Sequence, residues 1–297
     1  MDDQAAKLRR LVAQTRGGRE PERLSRAVVP TRVIAVTSGK GGVGKTNVTA
    51  NLALALARRR QRVLVLDADL GLANVDIAMG LLPRYNLAHV LRGELELEDV
   101  ITIGPLGVHL IASGSGIREL ANLSDTARNR LLESLGSLKG EYDWLLIDTS
   151  AGLGKNVVGF VMAADEVLVV TTPEPTALAD AYSMIKVIFQ ERPRARVRLV
   201  VNMVRDEVEA REVADKITVL AHRFLGATVL PLGHVVRDPR VGEAVREQTP
   251  LVLLFPGSPA ARCIHVLAGA LADGRAPAAH EDLRGFFSRV MEFIGSR

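Results

Sequence analysis

Seven short apolar runs recur along the chain with helical patterns between them. VIAVTS (33–38), VLVLD (63–67), VHLIAS (108–113), DWLLID (143–148), EVLVVT (166–171), VRLVVN (197–202) and TVLPL (228–232) lack the in–out alternation of a one-sided sheet. Continuous apolar character predicts strands covered on both faces, as in a parallel sheet. Helical periodicity predicts helices at 45–60, 124–138, 174–190, 207–225, 237–247 and 258–272. Strand–helix alternation of this kind gives right-handed βαβ units, so the expected fold is α/β, a doubly wound, mostly parallel sheet flanked by helices.

Both ends differ from this body. Residues 1–32 hold eight basic and four acidic side chains, whereas residues 33–297 hold 30 of each, so the net charge of +4 lies entirely in an N-terminal tail. The balanced body speaks against a broad basic face for DNA. A spacer, ADGRAPAA (272–279), precedes a last helical pattern at 280–295. The expected organisation is a basic tail (1–32), an α/β domain (33–272), and a spacer with an amphipathic helix (273–297). A lone Cys263 excludes disulfides, Cys-rich zinc sites and four-Cys iron–sulfur clusters. No apolar run reaches the ~18 residues of a membrane span, and the first residues lack a signal-peptide core. The reading is a cytoplasmic protein.

Gly39-Lys40-Gly41-Gly42-Val43-Gly44-Lys45-Thr46 fits G-x-x-x-x-G-K-[ST] and lies between a predicted strand and a predicted helix. Such a loop turns backbone N–H groups toward phosphate oxygens, and the helix N-terminus adds partial positive charge. Lys45 would reach the β- and γ-phosphates, and Thr46 would offer its hydroxyl to Mg²⁺. A second lysine, Lys40, cannot share that cradle: it is either a solvated loop residue or reaches phosphate held by another subunit. The strand at 63–67 delivers Asp67 and Asp69 to the carboxyl edge of the sheet, where doubly wound proteins bind ligands. A carboxylate there would orient an attacking water. The strand at 143–148 ends in Asp148, placed to hold a water on Mg²⁺; Asp67 joins Thr46 and Asp148 in the expected metal-binding group. Asn202 ends the strand at 197–202 and is either a turn-former or a base-recognition group.

KGGVGKT resembles the deviant Walker A motif of the MinD/ParA class of P-loop ATPases, in which the first lysine crosses a dimer interface. DADLGLANVD and DTSAG resemble that class's two switches, although Ser150 stands where Pro or Gly is common. The resemblance implies ATP and Mg²⁺ as cofactors, an ATP-dependent homodimer, Lys40 and Asp69 as catalytic residues and an adenine contact from Asn202. Within the class, TPEPTALADAYSMIK (172–186) is similar to the FlhG/FleN group of flagellar-number ATPases. Asp3, Gln4, Ala5, Leu8 and Arg9 resemble that group's N-terminal element, which stimulates an FlhF-type GTPase; a frayed basic helix or a nucleic-acid tail are the other readings of this segment. The implied partners are that GTPase and flagellar basal-body proteins or a flagellar transcription activator. Division-site selection, as in MinD, and DNA partition, as in ParA, are the alternatives.

At about 100° per residue, Leu283, Phe286, Phe287, Val290, Met291, Phe293 and Ile294 fill one apolar arc, with Arg284 and Arg289 at its margins. The arc suits either a reversible anchor in membrane lipids at the inner face of the cell membrane or a last helix packed on the body. Residues 280–297 carry three acids and three arginines, so lipid binding would rest on apolar insertion more than on charge.

Overall fold

A computed structural model describes residues 30–69, 74–112, 114, 125–274 and 283–295. The N-terminal element at residues 3–9 lies outside them. In chain order the elements are β1 (Arg32–Thr37), α1 (Lys45–Arg58), β2 (Val63–Ala68), α2 (Val75–Met79), α3 (Leu87–Leu91), β3 (Ile101–Ile103), β4 (His109–Ala112), α4 (Asp125–Ser137), β5 (Trp144–Thr149), α5 (Lys155–Ala163) and β6 (Glu166–Thr171). There follow α6 (Pro175–Glu191), β7 (Arg196–Val204), α7 (Glu207–Leu225), β8 (Val229–Val236), α8 (Pro239–Arg246), α9 (Leu251–Leu254), α10 (Pro259–Asp273) and α11 (Leu283–Gly295).

One eight-stranded sheet runs β3-β4-β2-β5-β1-β6-β7-β8, parallel except for the β3–β4 pair at one edge. Successive residues of a strand feed opposite cores. Val33 and Ala35 face the layer of α3–α7 and α11, while Ile34 and Val36 face α1, α2 and α8–α10. That two-sided burial is the physical origin of the unalternating apolar runs.

The seven expected strands are all present, and β8 continues to Val236, four residues beyond the predicted run. The sequence reading missed β3, whose three residues are half-buried or exposed, and the helices α2, α3, α5 and α9. α5 contains the run Val157-Val158-Gly159, of low helix propensity, and is held by burial of Val157, Val158, Phe160 and Val161.

α11 lies on α4 and α5. Leu283, Phe286, Phe287, Val290, Met291 and Ile294 are buried there and Phe293 is half-buried, so the predicted arc is covered by the body in this conformation. Phe286 stacks on Phe160 of α5, ring centroids 6.3 Å apart. Gly159 leaves room for Ile294: a β-carbon at 159 would meet Ile294 Cγ1 at 2.8 Å. Among the described residues, no helix is long and apolar enough to cross a membrane.

Candidate functional site: a phosphate loop between two carboxylate strands

The loop from β1 to α1 contains Gly42 and Gly44 at φ of 81° and 83°, a left-handed backbone that side chains disfavour. Gly44 has a second constraint, because a β-carbon there would fall 2.4 Å from Asn202 Nδ2. The loop therefore packs directly on the end of β7. Asn202 Nδ2 donates to the Val43 carbonyl at 2.8 Å, and Asn202 Oδ1 accepts from the Met203 N–H at 2.9 Å. The structure places Asn202 as a brace for the phosphate loop, with its amide engaged at both ends.

Asp148, fully buried at the carboxyl end of β5, gathers the loop's polar groups. Lys45 Nζ lies 2.9 Å from Oδ1, Thr46 Oγ1 donates to Oδ2 at 2.7 Å, and Thr49 Oγ1 donates to Oδ1 at 3.0 Å. Thr49 was not found in the sequence; its signal is position, one helical turn beyond Lys45 on the same face of α1. A carboxylate, a hydroxyl and an ammonium converging beneath a glycine loop suit a triphosphate and its divalent ion.

Asp67 pairs in register with Asp148 on the neighbouring strand. Its carboxylate accepts backbone N–H groups from Asp69, Asn74 and Val75, each at 3.0 Å, and so ties Asn74 and Val75 to the end of β2. Burial pushes its pKa up to about 6; Asp148 adds to the rise, and the hydrogen bonds led by Val75 oppose it. Asp69 stands outside this staple, half-buried, with Ser150 Oγ 2.8 Å from its Oδ1.

Lys40 points away from Lys45. Its Nζ lies 3.0 Å from Glu174 Oε2 and 2.9 Å from Thr176 Oγ1, both at the start of α6, and its side chain is 40% exposed. The two lysines of one loop thus serve different places. The 172–186 segment stood out in the sequence, but pairing Lys40 with Glu174 and Thr176 needs the β1–β6 adjacency, which a sequence does not display.

Past the carboxyl ends of β6, β7 and β8, a cleft of ≈550 Å³ is lined by Thr172, Glu174, Met203, Arg205, Arg237 and Pro239. It adjoins the phosphate loop through Asn202–Met203. The sequence reading assigned nothing to Arg205 or Arg237, although each directly follows a strand on the ligand-binding edge.

Residues 31–200 match the AAA domain family. The antiactivator FleN of Pseudomonas aeruginosa is 42% identical over 239 residues, covering 80% of this chain and 85% of FleN. The chain belongs to the FleN/FlhG family of MinD/ParA-class ATPases. Another similar relative is the flagellum site-determining protein YlxH of Helicobacter pylori, 33% identical over 271 residues, 89% of this chain and 91% of YlxH. The septum site-determining protein MinD of Pyrococcus horikoshii, complexed with Mg-ADP, shares the fold with a TM-score of 0.65 and 29% identity over 81% of this chain and 96% of that one. As a FleN/FlhG member the protein hydrolyses ATP.

Proposed function

We propose that this FleN/FlhG-family ATPase is an ATP-dependent dimerising switch that sets the number and placement of flagella. The observation that carries the reading is the division of labour in the phosphate loop, with Lys45 turned inward to Asp148 and Lys40 turned outward along α6. Lys45 and the loop's N–H groups bind the triphosphate. The adenosine occupies the cleft beside Met203, with Arg237 and Pro239 at its wall. Lys40 exchanges Glu174 and Thr176 for phosphate bound by a second copy, and closure of the dimer completes each site. Asp69 orients the attacking water, so it acts on turnover and not on binding.

Thr46 and Asp148 would hold Mg²⁺, Asp148 through a water; their 2.7 Å contact shows hydroxyl and carboxylate already converging at one point. When bound, the ion supplies charge neutralisation at the β- and γ-oxygens. Asp67 supports this group by fixing the backbone of Asp69.

The output lies on α11. In the monomer its apolar arc is stored against α4 and α5; in the ATP-closed dimer it leaves the body and inserts into the inner face of the membrane. One neutral helix binds lipid weakly, and two on one dimer bind far better. The names of FleN and YlxH, together with the DQAAKLR segment at residues 3–9, support a flagellar role: the tail stimulates an FlhF-type GTPase, and the dimer engages basal-body proteins or a flagellar transcription activator. Complementation tests the whole reading. In a strain lacking the gene, the wild-type chain restores flagellar number and Lys40→Ala does not; restoration by Lys40→Ala contradicts it.

A further inference from the structure

Asp69 lies two residues past Asp67, and Ser150 two residues past Asp148, on neighbouring strands paired Asp67 to Asp148 and Ala68 to Thr149. That register sets the two side chains opposite each other at the carboxyl edge, and Ser150 Oγ donates to Asp69 Oδ1 at 2.8 Å. We propose that Ser150 is a positioning residue for ATP hydrolysis: its hydroxyl holds the Asp69 carboxylate in the orientation that aims water at the γ-phosphate. The inference rests on the reading of Asp69 given above and adds the group that sets its geometry.

Three carboxylates, Asp67, Asp69 and Asp148, share this edge. Asp69 is the most exposed of them, so solvent competes with the protein for its carboxylate. A hydroxyl opposes that competition with a charge-assisted hydrogen bond, without adding a cation that would compete for phosphate. Ser150 is itself anchored on both sides. Thr149 Oγ1 donates to the Val36 carbonyl at 3.0 Å, and the Gly152 N–H donates to the Ser38 carbonyl at 2.9 Å. Val36 belongs to β1 and Ser38 begins the phosphate loop, so the hydroxyl is fixed relative to the place where phosphate binds. Asp67, by contrast, spends its oxygens on the backbone N–H groups of Asp69, Asn74 and Val75. Ser150 thus links the phosphate loop to the water-orienting carboxylate. A residue without a hydroxyl at 150 leaves the carboxylate to find its orientation anew in each turnover, an ordering cost that falls on the chemical step.

The test is steady-state ATPase activity of the full chain with Mg²⁺-ATP in wild type, Ser150→Ala, Ser150→Thr, Asp69→Ala and the Ser150→Ala/Asp69→Ala double variant. Ser150→Ala is expected to lower kcat about tenfold, the effect of losing one hydrogen bond to a charged group, with KM for ATP unchanged. Ser150→Thr, which keeps the hydroxyl, is expected to restore most of kcat. In the Asp69→Ala background Ser150→Ala is expected to cost nothing further, because the two act as one unit. Wild-type kcat in Ser150→Ala, or an equal fall in both backgrounds, overturns the inference while leaving Asp69 in its role. Wild-type kcat in Asp69→Ala overturns that role and the inference with it.

Discussion

Gly159 is the notch on which the last helix rests, and filling it gives a graded way to dislodge α11. A β-carbon at 159 would lie 2.8 Å from Ile294 Cγ1, 3.3 Å from Ile294 Cδ1 and 3.4 Å from Phe293 Cδ1. Carbon atoms do not approach to 2.8 Å, so either Ile294 leaves its place or α11 moves off α5. One inserted methyl in a packed interface costs about 1–3 kcal/mol. Alanine also gains about 1 kcal/mol of helix propensity over glycine, but α5 is helical with or without α11 on it, and that gain cancels from the docking equilibrium. Gly159→Ala therefore shifts docking toward release roughly 5- to 150-fold, and Gly159→Leu further. Sedimentation with anionic vesicles in the absence of nucleotide reads the released fraction. Wild type is expected to stay in the supernatant, Gly159→Ala to pellet detectably and Gly159→Leu more but still in part, because one released helix per monomer binds lipid weakly. Truncation after Gly274 abolishes pelleting of each. Gly159→Leu that sediments no more than wild type, while still folded by thermal melting, refutes the stored-helix account.

Asp69→Ala is expected to retain ATP binding while single-turnover hydrolysis falls by at least tenfold and the dimer persists, measured by quench-flow and light scattering; wild-type hydrolysis contradicts the assignment. Burial pushes Asp67 up to about 6 in the folded chain from its ordinary 3.8, so the folded state holds this proton more tightly. Its favourable contribution is complete below pH ~4 and is lost as pH rises through 6, a change of about 3 kcal/mol. Denaturant unfolding of the nucleotide-free protein is expected to show Asp67→Asn gaining on wild type by that amount between pH 4 and 7; a pH-independent difference contradicts it. A peptide of residues 1–16 is expected to raise GTP turnover by an FlhF-type GTPase severalfold and Gln4→Ala to weaken it; an inert wild-type peptide contradicts the role of the tail.

Much of the architecture was legible because burial on both faces writes itself into a strand as an unbroken apolar run, as in VIAVTS and EVLVVT. The phosphate loop was legible because its backbone requires glycine: Gly42 and Gly44 are left-handed and Gly44 touches Asn202. Carboxylates at strand ends were legible for the same reason of place, since a parallel sheet sends Asp67 and Asp148 to one edge. What the sequence did not display depends on adjacency between strands distant in the chain. The Asp69–Ser150 bond follows from the β2–β5 register, and the Lys40–Glu174 pair from β1 beside β6. The α5 helix was hidden because its valines and glycine carry little helix signal and its stability comes from burial against β1, β5 and α6 as well as α11. An amphipathic arc such as that of α11 has the same pattern whether it meets protein or lipid; the structure shows its docked form.

The central claim is that ATP closes a dimer through Lys40 while Lys45 binds nucleotide within one chain. Molar mass by light scattering, on wild type and Lys40→Ala with ATP or ADP and with nucleotide binding measured in parallel, tests it most directly. The account predicts a dimer only for wild type with ATP, and a Lys40→Ala monomer that binds ATP with near wild-type affinity. A Lys40→Ala protein that dimerises with ATP as wild type does, or a wild type that remains monomeric with bound ATP, would contradict it.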